Sequence, residues 1–157
     1  MMDARKRRIA AATALATALA IPAEGLRQFA YRDPPGILTV CYGHTGADVV
    51  AGRKYSLAEC NQFLTDDMRT AIDIVERCAP GLPEKPLAAF ADATFNLGSR
   101  LVCDTKNSTA ARLLKAGDIP GACRQLPRWN RATVAGQSVV LPGLTKRRQA
   151  EMELCLS

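Results

Sequence analysis

Six cysteines, Cys41, Cys60, Cys78, Cys103, Cys123 and Cys155, restrict the possible folds of this chain more than any other feature. Their number is even, they are widely spread, and no two stand at the short separation of a metal-binding knuckle. Cys41 and His44 make half of a zinc site, but the sequence offers no second half, so neither a metal nor any other cofactor is expected. Two readings are open: disulfides formed in an oxidising compartment, or small apolar thiols buried in a reduced one. Disulfides are the expectation, and six half-cystines permit fifteen connectivities. Of these, neighbour pairing would join Cys41 to Cys60, Cys78 to Cys103 and Cys123 to Cys155.

A chain of 157 residues with 48% apolar content is long enough to bury one core. Its formal charge of +6 is uneven: Arg5, Lys6, Arg7 and Arg8 against Asp3 leave three of those six charges within the first eight residues. Aromatic content is 5%, and the densest basic run lies beside an apolar segment rather than among rings on which bases stack. No nucleic-acid partner is expected; the charge suits attraction to an anionic cell envelope.

The segment RKRRIAAATALATALAIPAEG sets that cationic cluster against an uncharged stretch from Ile9 to Ala23. As a helix the stretch reaches roughly 22 Å, short of the roughly 30 Å hydrocarbon core of a bilayer. Its strongly apolar residues, Ile9, Leu15, Leu19 and Ile21, contribute only about −2 kcal/mol to insertion. A cleaved signal peptide has an A-x-A site at Ala18 to Ala20, but cleavage there strands Glu24 beside the new terminus. A permanent anchor is too weak, and an ordinary Ala-rich first helix leaves the abutting cations without a purpose. A reversible anchor fits best, with the basic flank in the cytoplasm and everything from Glu24 onward on the oxidising side. The chain therefore divides into a leader, residues 1–23, and one domain, residues 24–157.

Within that domain GILTVCYG, residues 36–43, is β-branched, aromatic and glycine-bounded, which predicts a short strand or hairpin. Ser56 to Glu59 is a capping box opening a helix whose apolar residues recur at helical spacing from Leu57 to Val75. A second helix is expected from about Pro86 to a cap at Gly98. Shorter ones follow Ser108 and Thr109, then Asp118, and a last one runs from Thr145 to Leu156. The expected class is α+β, rich in helix, with one small sheet near the beginning.

No G-x-S-x-G elbow, Walker A loop or G-x-G-x-x-G motif is present, and the single histidine leaves Ser-His-Asp hydrolysis without an identifiable serine. Carboxylate chemistry is left. Glycosidic bonds are cut by one carboxyl that donates a proton and a second, ionised one that stabilises charge or activates water. Glu24 follows the apolar leader, so packing of that leader would desolvate it and favour the proton donor. Asp33 beside Arg32, in a turn ahead of Pro34, has a wetter setting that suits the anion. Thr39 offers a hydroxyl able to hold a water against Asp33. Two solvated acids and a strand threonine are the alternative account of the same residues.

The stretch EGLRQFAYRDPPGILTVCYGHTG resembles the active-site segment of the phage-lysozyme family, glycoside hydrolase family 24, whose signature is E-x8-D-x5-T followed by a glycine-rich turn and GH. Glu24, Asp33 and Thr39 fall on the three spacings, and Gly43 with His44 supplies the GH. Similarity continues through Asn96 to Gly98, Asn107 to Asp118, Trp129 and Gly143 to Glu151. Cys41 departs from the family by standing where many members have glycine.

The resemblance implies a lysozyme-like fold with its hairpin beside the active site, peptidoglycan as substrate, and Glu24 as general acid. Asp33 and Thr39 would position water for hydrolysis with inversion. His44 is expected beside the cleft with a mainly structural role, and Asn96, Ser108 and Thr109 as cap and turn residues that also contact sugar. Trp129 is assigned to the core. Arg147 and Arg148 are expected as helix-end cations, one of them able to pair with Glu24. The leader resembles that of signal-arrest-release endolysins, which implies a monomer held at the inner membrane in an inactive state, then freed into the periplasm. The competing function is non-enzymatic, a cationic protein that disorders membranes.

Overall fold

A computed structural model describes residues 1–157. The first helix, α1 (Ala4–Glu24), begins at an Asp3 cap that accepts from the Lys6 amide, and it runs unbroken across the expected boundary between leader and domain. Ala12, Ala16 and Ala20 recur every four residues on one face and are fully buried. Small side chains there let α1 approach α3 (Glu84–Leu97) closely, and the two share one core. Thr13 and Thr17 donate their hydroxyls to carbonyls one turn back, at 2.7 Å each, so neither needs solvent. No helix is long and apolar enough to cross a membrane.

Helix α3 is the axis of the molecule. Every residue from Pro86 to Thr94 is buried, because the helix is covered on all sides by α1, α2 (Leu57–Cys78) and α7 (Pro142–Leu156). The capping box of α2 is present in full: Ser56 accepts from the Glu59 amide at 3.0 Å while Glu59 accepts from the Ser56 amide at 3.2 Å. The short helices α4 (Arg100–Cys103), α5 (Thr109–Lys115) and α6 (Ile119–Cys123) complete the larger lobe.

The smaller lobe is an antiparallel sheet of β1 (Arg27–Arg32), β2 (Leu38–Cys41) and β3 (His44–Thr45), with Tyr31 opposite Thr39 and Val40 opposite His44. The expected hairpin over residues 36–43 is thus a three-stranded sheet, since RQFAYR pairs with it. A second hairpin, β4 (Arg131–Val134) and β5 (Gln137–Val140), was not anticipated, and α7 starts at Pro142 rather than Thr145. Proline supports that earlier start, having no N–H to leave unsatisfied in the first turn.

All six cysteines are bonded, neighbour with neighbour: Cys41–Cys60, Cys78–Cys103 and Cys123–Cys155. The first ties the end of β2 to α2, and Cys41, held there, is no partner for His44 in a metal site. Cys41 has φ 62°, a left-handed conformation that glycine adopts without steric penalty. Trp129 packs against the core.

Candidate active site

Glu24 is the last residue of α1; the chain leaves the helix at Gly25, whose φ of 71° only glycine takes readily. Its carboxyl faces the turn between β2 and β3. A β-carbon added at Gly43 would lie 3.6 Å from Glu24 Oε2, and the φ of 83° there independently favours glycine. From the opposite side Arg147 Nη1 donates to Glu24 Oε1 at 2.5 Å. The apolar leader therefore ends by delivering a half-buried carboxyl between the hairpin and α7.

Asp33 and Thr39 are locked together through one residue. The Ile37 amide donates to Asp33 Oδ1 at 2.7 Å, while the Ile37 carbonyl accepts both the Asp33 amide and the Thr39 hydroxyl, each at 3.0 Å. Asp33 is half-buried in the β1–β2 turn and Thr39 is buried on β2. The hydroxyl oxygen of Thr39 keeps capacity to accept a further hydrogen bond.

Two cavities lie near the Glu24–Gly43 contact, one lined by Glu24 and the other by Gly43. One, about 580 Å³, is lined by Glu24, Asn96, Leu144 and Arg147 between α1, α3 and α7. The other, about 270 Å³, is lined by Gly43, Thr45, Asp67 and Thr94 between the hairpin and the long helices. Asn96 Oδ1 and Thr94 Oγ1 are buried without hydrogen-bond partners, one beside each cavity. Asn96 lies in the last turn of α3 rather than at its cap, which is Gly98, and has a free acceptor.

The other three candidates lie in structural roles. Ser108 donates to the Leu101 carbonyl at 2.6 Å and accepts from the Ala111 amide at 3.1 Å; it is buried, and its hydroxyl closes a cap. Thr109 accepts from Arg112, and neither residue lines a cavity beside Glu24. His44 has both ring nitrogens engaged, Nδ1 with Asp67 at 2.8 Å and Nε2 with Asp48 at 2.9 Å, and its ring stacks on Phe63 at 4.1 Å. It fastens the hairpin to α2. Burial alone would lower its pKa, but the hydrogen bonds to Asp67 and Asp48 outweigh burial and raise it. On Asp67 burial is the larger influence and raises the carboxyl despite His44.

Arg147 and Arg148 are not helix-end cations but buried residues within α7. Arg147 donates Nε to Asp92 Oδ2 at 3.0 Å and Nη2 to Asp92 Oδ1 at 2.8 Å. Burial disfavours its charge, yet Asp92 and then Glu24 more than compensate and raise its pKa. Arg148 Nε and Nη2 each lie 2.7 Å from Glu151, whose carboxyl is pushed up by burial and by Asp92 against the pull of Arg148. Asp92, fully buried on α3, escaped the sequence reading. The one available signal was an acid in the middle of the apolar run LAAFADATF, which demands a buried partner.

The family model described as "Phage lysozyme" matches residues 22–151. The chain belongs to the phage lysozyme family. This phage lysozyme is 40% identical over 134 residues to a SAR-endolysin of Bacteriophage PS119, covering 85% of this chain and 76% of the relative. Its fold is similar to that of the muramidase domain of SpmX from Asticaccaulis excentricus, with TM-score 0.80, 26% identity, and coverage of 90% of this chain and 95% of that one. It is also similar to the active form of the P1 phage endolysin Lyz, with TM-score 0.69, 27% identity, and coverage of 90% and 83%. The lysozyme is accordingly a glycoside hydrolase with the expected α+β, helix-rich fold and a small sheet next to the candidate site.

Proposed function

We propose that this lysozyme hydrolyses the β-1,4 bond between N-acetylmuramic acid and N-acetylglucosamine in peptidoglycan, with inversion, as the endolysin of host cell lysis. The observation that carries this reading is the placement of Glu24 against the hairpin turn that follows the interlocked Asp33 and Thr39. Glu24 in its protonated form donates to the departing glycosidic oxygen. Asp33, its anion fixed by the Ile37 amide, accepts a proton from water, and the Thr39 oxygen holds that water on the opposite face of the ring. Asn96, with its free acceptor, binds a sugar hydroxyl or amide.

The enzyme acts as a monomer and is inactive while its leader lies in the inner membrane. Glu24 is the C-terminal residue of α1, so its position depends on α1 packing into the core. In the tethered chain Arg5 to Arg8 are cytoplasmic, whereas in the packed structure Arg8 joins Glu76 on α2. Passing from one state to the other carries a net three positive charges outward. An inside-negative potential opposes that by roughly 2.3 kcal/mol per charge for each 100 mV. Loss of the potential favours release, after which the enzyme works in the periplasm.

The test is Glu24→Gln, nearly isosteric. The purified variant should release no reducing ends from peptidoglycan, while the wild type releases sugars whose fresh anomers are inverted. Undiminished killing of cells by that variant would instead support membrane disruption, and products lacking a reducing end would indicate an anhydro-forming enzyme.

A further inference from the structure

A general acid that touches an arginine presents a contradiction, because a nearby cation favours the carboxylate and so disfavours the proton that the acid must give away. Arg147 is the only group donating a hydrogen bond to Glu24. Its guanidinium, however, is not free. Asp92 takes it through two parallel contacts, Nε to Oδ2 at 3.0 Å and Nη2 to Oδ1 at 2.8 Å, leaving Nη1 alone to reach Glu24.

The two carboxyls compete unequally for one cation. The Asp92 side chain is fully buried on α3, where it takes Arg147 through two points and also meets the Glu151 carboxyl. Glu24 keeps a fifth of its side-chain surface exposed and holds Arg147 by one bond. On α7, Glu151 is engaged by Arg148 and by Asp92, to which its raised, protonated carboxyl donates a hydrogen bond without taking Asp92's charge, and it comes no nearer than 3.9 Å to Arg147. Lys146 lines the cavity next to Glu24, and Asn96 on α3 is neutral. The hairpin offers Gly43 at the contact, while His44 beyond it is bound to Asp48 and Asp67.

We infer that Asp92 is a positioning residue for the acid: by orienting Arg147 and cancelling its charge, it lets Glu24 carry a transferable proton while still being held in place. This inference rests on Glu24 being the acid. Near Asp92, the Arg147 guanidinium is a neutralised hydrogen-bond donor rather than a net cation. Without Asp92 the same donor would trap Glu24 as an anion.

The experiment is the pH dependence of wall hydrolysis by the purified full chain. Asp92→Asn preserves shape but leaves Arg147 unopposed, and should move the alkaline limb of the rate profile down by about one pH unit while activity on the acid side persists. Arg147→Gln leaves Asp92 facing Glu24 and should move that limb upward. The double variant Asp92→Asn/Arg147→Gln buries no net charge and should return the limb to the wild-type position. A loss of rate by the same factor at every pH, with the limb unmoved in these variants, would reduce Asp92 to a structural role and overturn the inference. If Asp92→Asn does not fold, the upward shift in Arg147→Gln and its cancellation in the double variant decide the matter. Glu24→Gln separates the two levels, since activity surviving in it refutes the acid assignment itself, whatever Asp92 does.

Discussion

Arg8 and Glu76 meet across 68 residues of chain in a two-point contact, Nη1 to Oε1 at 2.7 Å and Nη2 to Oε2 at 2.9 Å. Arg8 also donates to the Leu82 carbonyl at 2.7 Å, so one guanidinium fastens the start of α1 to the end of α2 and the loop beyond it. The other end of α1 is Glu24. The contact that secures the leader is thus mechanically linked to the candidate acid through a single rigid element.

Substituting Arg8 by Gln should destabilise the packed enzyme by about 1–3 kcal/mol at neutral pH, the usual effect of leaving a part-buried charged partner unsatisfied. The hydrogen bond from Arg8 holds the Glu76 carboxyl below its ordinary value, against burial. A depressed acid contributes stability above its unfolded pKa and loses it as pH falls through the folded one. The difference between wild type and variant in urea denaturation should therefore shrink on going from pH 7 to about pH 3. An equal difference at both pH values would dissociate Glu76 from the effect.

His44 gives the opposite sign. Its pKa is raised in the folded state, so its contribution is complete below the unfolded value near 6.5 and disappears as pH rises through the folded value. Thermal unfolding should show the wild type losing stability across that interval. His44→Asn, which removes the imidazolium between Asp48 and Asp67, should flatten that part of the curve. Imidazole NMR titration in the wild type supplies the folded value directly.

Cys41 couples two effects of opposite sign. Its disulfide closes a separation of 19 residues, for which chain entropy alone suggests about 3 kcal/mol. Its φ of 62° is unfavourable for a residue with a side chain, by roughly 1–2 kcal/mol. Cys41→Gly with Cys60→Ala should therefore be more stable than Cys41→Ala with Cys60→Ala by about 1 kcal/mol, although both fall below the wild type. Equal melting temperatures for the two pairs would deny that the backbone at this position is under any strain.

Much of this architecture is legible in local chemistry. The Ser56–Glu59 box and the helical spacing after it act over a few residues, and the structure has each where the chain spells it; within the E-x8-D-x5-T stretch, Asp33 and Thr39 both bond Ile37. What escaped was long-range. β1 contains only a weak alternation and exists because Tyr31 and Arg32 find partners on β2. Residues 131–140 form a hairpin whose turn places Ala135 at positive φ, a conformation that its residue type does not announce. Asp92 looks like an interruption of an apolar run until Arg147, 55 residues later, supplies its partner. Ser108 and Thr109 read first as caps and second as sugar contacts, and the Leu101 carbonyl, seven residues before Ser108, is the long-range partner that its sequence does not announce.

The two faces of α1 allow tethering and folding to be separated. Ala14 and Ala18 are exposed in the packed structure, whereas Ala16 is fully buried against the core. Leucine at positions 14 and 18 adds apolar length to the segment in lipid, by about 0.5 kcal/mol per site on the insertion scale, without disturbing the core. Such a variant should retain wild-type activity on isolated walls once purified, yet lyse cells late and fractionate with the membrane. Leucine at position 16 adds the same apolar surface to the tether but overpacks the contact with α3, by about 1–3 kcal/mol. It should be late in cells and also impaired on isolated walls, because α1 can no longer seat Glu24. If Ala14→Leu/Ala18→Leu lyses cells on the wild-type schedule, membrane residence of the leader does not set the timing of activation.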